Sequence, residues 1–172
     1  MAEKVVYKGK IFDVARGVMK LPNGKVFTYE YVRFPRVVTM IPILGDKIVM
    51  IREYRTSVKK WLIGLPAGKV PSKENLVHAA RRETLEETGF KAKEVKLLFK
   101  SFASPGYSNE IRYFYLVRCG AKDRQHLDKD EIISVMPMTL KKALAMIKSG
   151  KIIDAKTIMA LLYYSKFVNP KK

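Results

Sequence analysis

The segment between residues 68 and 90, GKVPSKENLVHAARRETLEETGF, constrains the fold more than any other part of the chain. Its spacing predicts a helix over 74–88, and Gly89 suits the left-handed residue that closes a helix C-terminus. On that helix Glu83, Glu86 and Glu87 stand at i, i+3 and i+4, so their side chains share one arc of about 100°. Three like charges so close repel one another, which costs stability unless a cation sits among them. Carboxylate oxygens suit hard cations such as Mg²⁺ or Mn²⁺. Val77, Ala80 and Thr84 project to another side and offer a packing face. Arg82, one turn before Glu86, is placed to hold that carboxylate's orientation. An isolated E-x-x-E-E is ordinarily a solvated acidic face, so the context decides.

That context is mostly β structure. Short apolar runs at Val5–Tyr7 and Phe12–Met19, the turn Pro22-Asn23-Gly24 and the alternating stretch Val26–Phe34 predict a small antiparallel sheet. It is too small to be stable alone, so residues 1–36 are expected to pack on the body of the protein or on a second subunit. Core packing is the expectation for most of its aromatics, Phe27 and Tyr29 among them, and for Trp61. From Val37 the apolar runs lengthen. Val37–Leu44 and Lys47–Arg52 flank a Gly45-Asp46 hairpin signal, and Trp61–Leu65 leads into Pro66-Ala67-Gly68. After the helix come strands at Val95–Phe102 and Ile111–Arg118, an acidic loop at Asp128–Glu131, and a strand at Ile132–Met136. Helices over Thr139–Ser149 and Asp154–Phe167 end the chain, with Thr139 and Asp154 as N-caps. Strands first, one helix among strands and helices last indicate an α/β sandwich with a mixed sheet over residues 37–172.

Composition narrows the class. The chain has 172 residues, 48% of them hydrophobic, enough for one compact core. No apolar run approaches the roughly 20 residues of a membrane-spanning helix, so no membrane role is expected. A single cysteine, Cys119, cannot form an internal disulfide or a thiolate metal cage, which favours a cytoplasmic setting. The net charge of +18 suggests an anionic partner, or else a lysine-rich solvated surface. Because the basic residues are spread along the chain and do not interleave with aromatics, the solvated surface is favoured over a nucleic-acid platform.

Gly68, Glu74, Arg82, Glu83, Glu86, Glu87, Gly89 and Phe90 fall at the spacing G-x5-E-x7-R-E-U-x-E-E-x-G-U, with U a bulky apolar residue. The segment therefore resembles the Nudix box. Thr84 stands where an aliphatic residue is usual, which bears on packing rather than chemistry. The resemblance implies a Nudix-type α/β/α sandwich and a loop-helix-loop that holds a divalent cation, Mg²⁺ or Mn²⁺, against a diphosphate. It makes Glu83, Glu86 and Glu87 metal ligands, with the Ala67 carbonyl as a further one. Glu86 and Glu87 become catalytic residues, Arg82, Gly68 and Gly89 supporting ones, and Glu74 a structural one.

A second likeness concerns the substrate. Ser104-Pro105-Gly106-Tyr107-Ser108-Asn109-Glu110 resembles the S-P-G-x-[ST]-x-E loop of the ADP-ribose pyrophosphatase subfamily, and Gly150–Thr157 resembles its C-terminal helix start. Glu53-Tyr54-Arg55 is similar to an E/Q-x-R at a strand end. These imply hydrolysis of ADP-ribose to AMP and ribose 5-phosphate, with Arg55, Pro105 and Glu110 on the substrate, in a homodimer joined through the N-terminal sheet. An acidic residue on a late loop would assist the water. Asp128, Asp130 and Glu131 are all candidates, with Glu131 the marginal choice as general base. A sugar nucleotide, a dinucleoside polyphosphate or RNA stays open as an alternative substrate.

Overall fold

A computed structural model describes residues 3–170; the first two and last two residues of the expected N-terminal and main units lie outside it. Strands β1 (Lys4–Lys8), β2 (Asp13–Lys20) and β3 (Val26–Arg33) form a three-stranded antiparallel sheet. Only Ala15 and Gly17 of it are buried. Its aromatics do not pack into a core as expected: Phe27 is 52% and Tyr7 57% exposed. The reason is architectural, since among the described residues no second layer covers this sheet.

The main sheet begins at β4 (Val37–Leu44), whose seven first residues are all buried. It continues with β5 (Lys47–Arg55), β6 (Lys60–Gly64) and the short β7 (Ala67–Lys69). Helix α1 (Leu76–Thr88) follows, then β8 (Phe90–Phe102), β9 (Ile111–Lys122) and β10 (Ile133–Thr139). Helices α2 (Leu140–Lys148) and α3 (Ala155–Tyr163) complete it, with a π-helical turn at Tyr164–Val168. The strand order is β10-β5-β4-β9-β8, with β4 and β9 parallel and the other neighbours antiparallel, so the sheet is mixed. One face packs Val38, Met40, Tyr115 and Val117 against Ala79 and Ala80 of α1. The other packs Ile41, Met50 and Phe114 against Ala143 of α2 and Ala160 and Leu161 of α3. This is the three-layer α/β/α arrangement the sequence implied.

One departure from a regular sheet positions everything that follows. β4 and β5 pair only beside their hairpin, at Ile43↔Ile48 and Leu44↔Lys47. Beyond it they diverge. β6 pairs the far half of β5, from Ile51↔Gly64 to Arg55↔Lys60, while β7 pairs the start of β4 through Thr39↔Ala67. The elbow Leu65-Pro66 carries the chain across the resulting split.

Local signals explain the element ends. α1 starts after Asn75, whose side chain accepts from the Val77 N–H at 2.8 Å, two residues later than Glu74. Gly89 takes the left-handed conformation, φ 72°, and its N–H donates to the Leu85 carbonyl. Thr139 caps α2 through the Lys142 N–H, as expected, but Asp154 makes no capping bond to α3. Trp61, expected in the core, is 43% exposed; it meets Tyr54 edge-on, with the Arg52 guanidinium over its ring. β6 pairs with β5 at a sheet margin, which leaves the ring partly open to solvent.

Thr84 is fully buried and its hydroxyl donates to the Ala80 carbonyl one turn back, at 2.6 Å. Its hydrogen bond is thus local to the helix, and the site accepts an aliphatic shape. Thr84→Val is expected to keep the fold and change stability by less than about 1 kcal/mol, measured by urea denaturation.

Candidate active site

The elbow and α1 meet at the split. The Ala67 N–H donates to Glu87 Oε2 at 3.1 Å. Gly68 comes closer still: a Cβ on it would lie 1.8 Å from Glu83 Cδ, so only glycine admits the carboxylate there. Glu83 and Glu87 are both buried, while Glu86 is half-buried. The stretch after β9 returns to the C-terminal end of the helix. There the Asp123 N–H donates to the Gly89 carbonyl, the His126 N–H to Glu86 O, and the Gln125 side-chain amide to Glu87 O. These donors satisfy carbonyls that the helix terminus would otherwise leave open.

Arg82 organises the exposed side of the helix. Its Nε and Nη2 donate to the two carboxylate oxygens of Glu74 at 3.0 and 2.9 Å, a bidentate pair. Nη1 reaches Glu83 Oε1 at 2.7 Å and Glu86 Oε2 at 2.8 Å. Glu74 is thus engaged with Arg82, consistent with a structural role. Among the described residues no three acidic, histidine or cysteine side chains converge at ligand distances; Glu83 and Glu86 are instead joined through Arg82.

Glu87 has no cationic partner among the described residues. Burial, reinforced by Glu83, Glu53 and Glu131, holds its carboxyl well above the usual range. Burial likewise pushes Glu83 up to about 7, against the pull of the Arg82 guanidinium. Two buried carboxyls that resist ionisation, beside a backbone turn that cannot carry a side chain, form an oxygen-rich site deficient in positive charge. An oxygen-liganded divalent cation fits that donor set, and its charge would offset the repulsion.

Other acids join from outside the helix. Glu53, at the end of β5, is raised mainly by burial and pairs with Arg55 at 2.7 Å. Glu131 is half-buried and acts electrostatically on Glu53, Glu83 and Glu87, whereas Asp128 and Asp130 point to solvent. Its Oε2 accepts the Asp128 N–H at 3.0 Å, which fixes the loop. The sequence placed Glu53 in the E/Q-x-R strand end without giving it a role of its own; its alternation with Ile51 and Arg55 on one face of β5 was the available signal. Glu110 binds Arg112, which also approaches the Thr39 hydroxyl. Pro105 lies in an exposed turn closed by Tyr107 and Ser108 N–H bonds to the Ser104 carbonyl. That loop is tied to β3 by Val32 N–H to Tyr107 O at 2.7 Å and Asn109 N–H to Val32 O at 3.2 Å. Neither histidine joins the cluster; His78 and His126 are exposed.

The NUDIX domain family matches residues 33–161. The chain belongs to the Nudix hydrolase family. The N-terminal sheet lies almost wholly outside the matched span, and the split sheet and α1 wholly inside it. Among curated Nudix relatives, an ADP-ribose pyrophosphatase of Bacillus subtilis (strain 168) is 32% identical, over 95% of this chain and 90% of its own length. A methanol dehydrogenase activator of Bacillus methanolicus is 34% identical over 92% of this chain and 87% of its own. A GDP-mannose pyrophosphatase of Citrobacter koseri is 33% identical over 67% of this chain and 65% of its own. A crystal structure of an ADP compounds hydrolase shares the fold, with a TM-score of 0.84 and 22% identity over 99% of this chain and 94% of that one. Nudix hydrolases are generally dependent on a divalent metal, in keeping with the charge deficit of the cluster.

Two outcomes follow from this geometry. Gly68→Ala is expected to displace Glu83 and lower turnover by at least roughly 100-fold while circular dichroism stays unchanged, since small misplacements near a reacting centre carry penalties of that order. The second concerns pH. With Glu83 raised to about 7 from an ordinary 4.5, the folded chain binds more protons than the unfolded one across that window, so stability falls as pH rises through it. In a chelator, Glu83→Gln should therefore gain stability relative to the unaltered protein between about pH 4.5 and 7, with a constant difference above, read by denaturant melts at several pH values.

Proposed function

We propose that this chain hydrolyses ADP-ribose to AMP and ribose 5-phosphate, with Mg²⁺ or Mn²⁺ as the cation. The carrying observation is the near full-length likeness to the Bacillus subtilis ADP-ribose pyrophosphatase, joined to the intact set of box carboxylates. Glu83, Glu86, Glu87 and the Ala67 carbonyl would hold the cation. When bound, it supplies charge neutralisation and Lewis acidity at the diphosphate. Arg55 binds a phosphate oxygen, with Glu53 orienting its guanidinium. Glu131 accepts the proton of the attacking water at a carboxylate oxygen, a role supported by its electrostatic influence on Glu87 and Glu53. The water oxygen joins phosphorus, the bridging P–O bond breaks, and the leaving phosphate departs with the electron pair. Glu110 and the turn at Pro105 line the path to the rest of the nucleotide.

We assign a homodimer. The exposed apolar side chains of the N-terminal sheet, Val6, Tyr7, Phe12, Met19 and Phe27 among them, favour cover by a second copy. The half-buried Cys119 thiol, pushed up to about 11 by burial, suits a reducing cytoplasm. None of the described helices is long and apolar enough to cross a membrane.

A substrate panel of ADP-ribose, GDP-mannose and diadenosine polyphosphates, with and without Mg²⁺, tests the assignment. Turnover is expected to be fastest with ADP-ribose and to vanish on chelation; absence of ADP-ribose turnover overturns the specific claim. Glu87→Gln should cost at least roughly 1,000-fold in kcat with the fold retained. Sedimentation should give twice the 19.7 kDa chain mass, and a monomer would refute the dimer.

A further inference from the structure

The start of α3 carries a buried polar chain that the proposed chemistry does not use. The Leu65 N–H donates to Thr157 Oγ1 at 2.8 Å, and the same hydroxyl donates to Asp154 Oδ2. Lys156 Nζ donates to that carboxylate oxygen as well, at 2.6 Å. Thr157 is fully buried, and the Asp154 and Lys156 side chains are only 19% and 14% exposed. A Cβ on Gly64 would stand 3.1 Å from Asp154 Oδ2 and 3.2 Å from Thr157 Oγ1, so helix and elbow are in close contact.

Asp154 breaks a local rule to do this. It occupies the N-cap position of α3 yet makes no capping bond, forgoing a stabilisation of about 1 kcal/mol. Its carboxylate is directed instead to Thr157 and Lys156. A residue that departs from local preference in this way marks a position selected for something other than helix stability.

What the chain of bonds holds is short and stiff. Leu65 N–H is fixed by Thr157, the Pro66 carbonyl accepts from Met40 N–H at 3.0 Å, and Ala67 N–H is fixed by Glu87. Pro66 locks the intervening φ. Of these three attachments, Thr157 alone comes from outside the sheet and the box helix. We propose that Thr157, backed by Asp154 and Lys156, is a positioning residue for the cation site: the start of α3 holds the Leu65–Ala67 elbow and so sets the Ala67 carbonyl relative to Glu83 and Glu87. This rests on the assignment of Ala67 and the box glutamates as ligands.

The test is Mn²⁺ binding to the full-length protein without substrate, followed by the electron paramagnetic resonance of free Mn²⁺, with melting temperature recorded in parallel. Thr157→Val should weaken binding roughly 10-fold, the scale of changes just behind metal ligands, and Thr157→Ser should restore it. Asp154→Asn should give an intermediate loss. Val117→Ala, a destabilising change in the core cluster on the other face of the sheet, which does not include Leu65, should bind Mn²⁺ as the unaltered protein does. A folded Thr157→Val or Asp154→Asn protein with unaltered affinity, or a Thr157→Ser protein that fails to recover it, overturns the inference. If the unaltered protein itself takes up no Mn²⁺, the ligand assignment fails first, and this inference with it.

Discussion

Two buried carboxylates, one of them with no cationic partner among the described residues, set the terms for the rest of this molecule. Glu83 and Glu87 lie against a backbone turn in the crevice of the sheet. Ionised and unpaired, such groups cost several kcal/mol each, so the surrounding residues must justify their placement. Arg82 answers part of the demand and is itself held rigid by both oxygens of Glu74. Gly68 leaves room for Glu83, and Gln125 and His126 tie down the end of α1. The remaining deficit of positive charge is what makes a divalent cation the natural complement.

The split between β4 and β5 turns this local arrangement into a site. In a fully paired sheet the Ala67 turn would have no access to the helix carboxylates, because another strand would stand between them. Divergence of the two strands admits the β6–elbow–β7 segment, so residues from β5, the elbow, α1 and the 128–131 loop come together.

The box was the most legible part of the sequence, because helical spacing alone sets Glu83, Glu86 and Glu87 on one arc and Gly89 announces the end of their helix. The three layers were legible for the same reason: long apolar runs at 37–44 and 47–51 read as strands covered on both faces. What escaped depended on contacts between distant segments. Glu53 looks like any strand-end acid until β5 is seen beside Glu87, and Asp154 reads as an N-cap until Lys156 and Thr157 claim its oxygens. Phe27 and Trp61 were misjudged because hydrophobicity says a residue prefers cover, not whether a single chain provides it. Which of Asp128, Asp130 and Glu131 is drawn partly inward likewise depended on the fold of the loop, and it is Glu131.

β8 runs for thirteen residues along the margin of the main sheet, and among the described residues β9 is its only strand partner. A margin of that length, carrying Leu97, Phe99 and Phe102, offers open backbone groups to any passing extended chain. Lys91, Lys93, Lys96 and Lys100 stand exposed along it at short intervals. Two molecules approaching edge to edge would bring these ammonium groups into register against one another. Part of the +18 charge is thus placed where it opposes edge-to-edge pairing of a long strand.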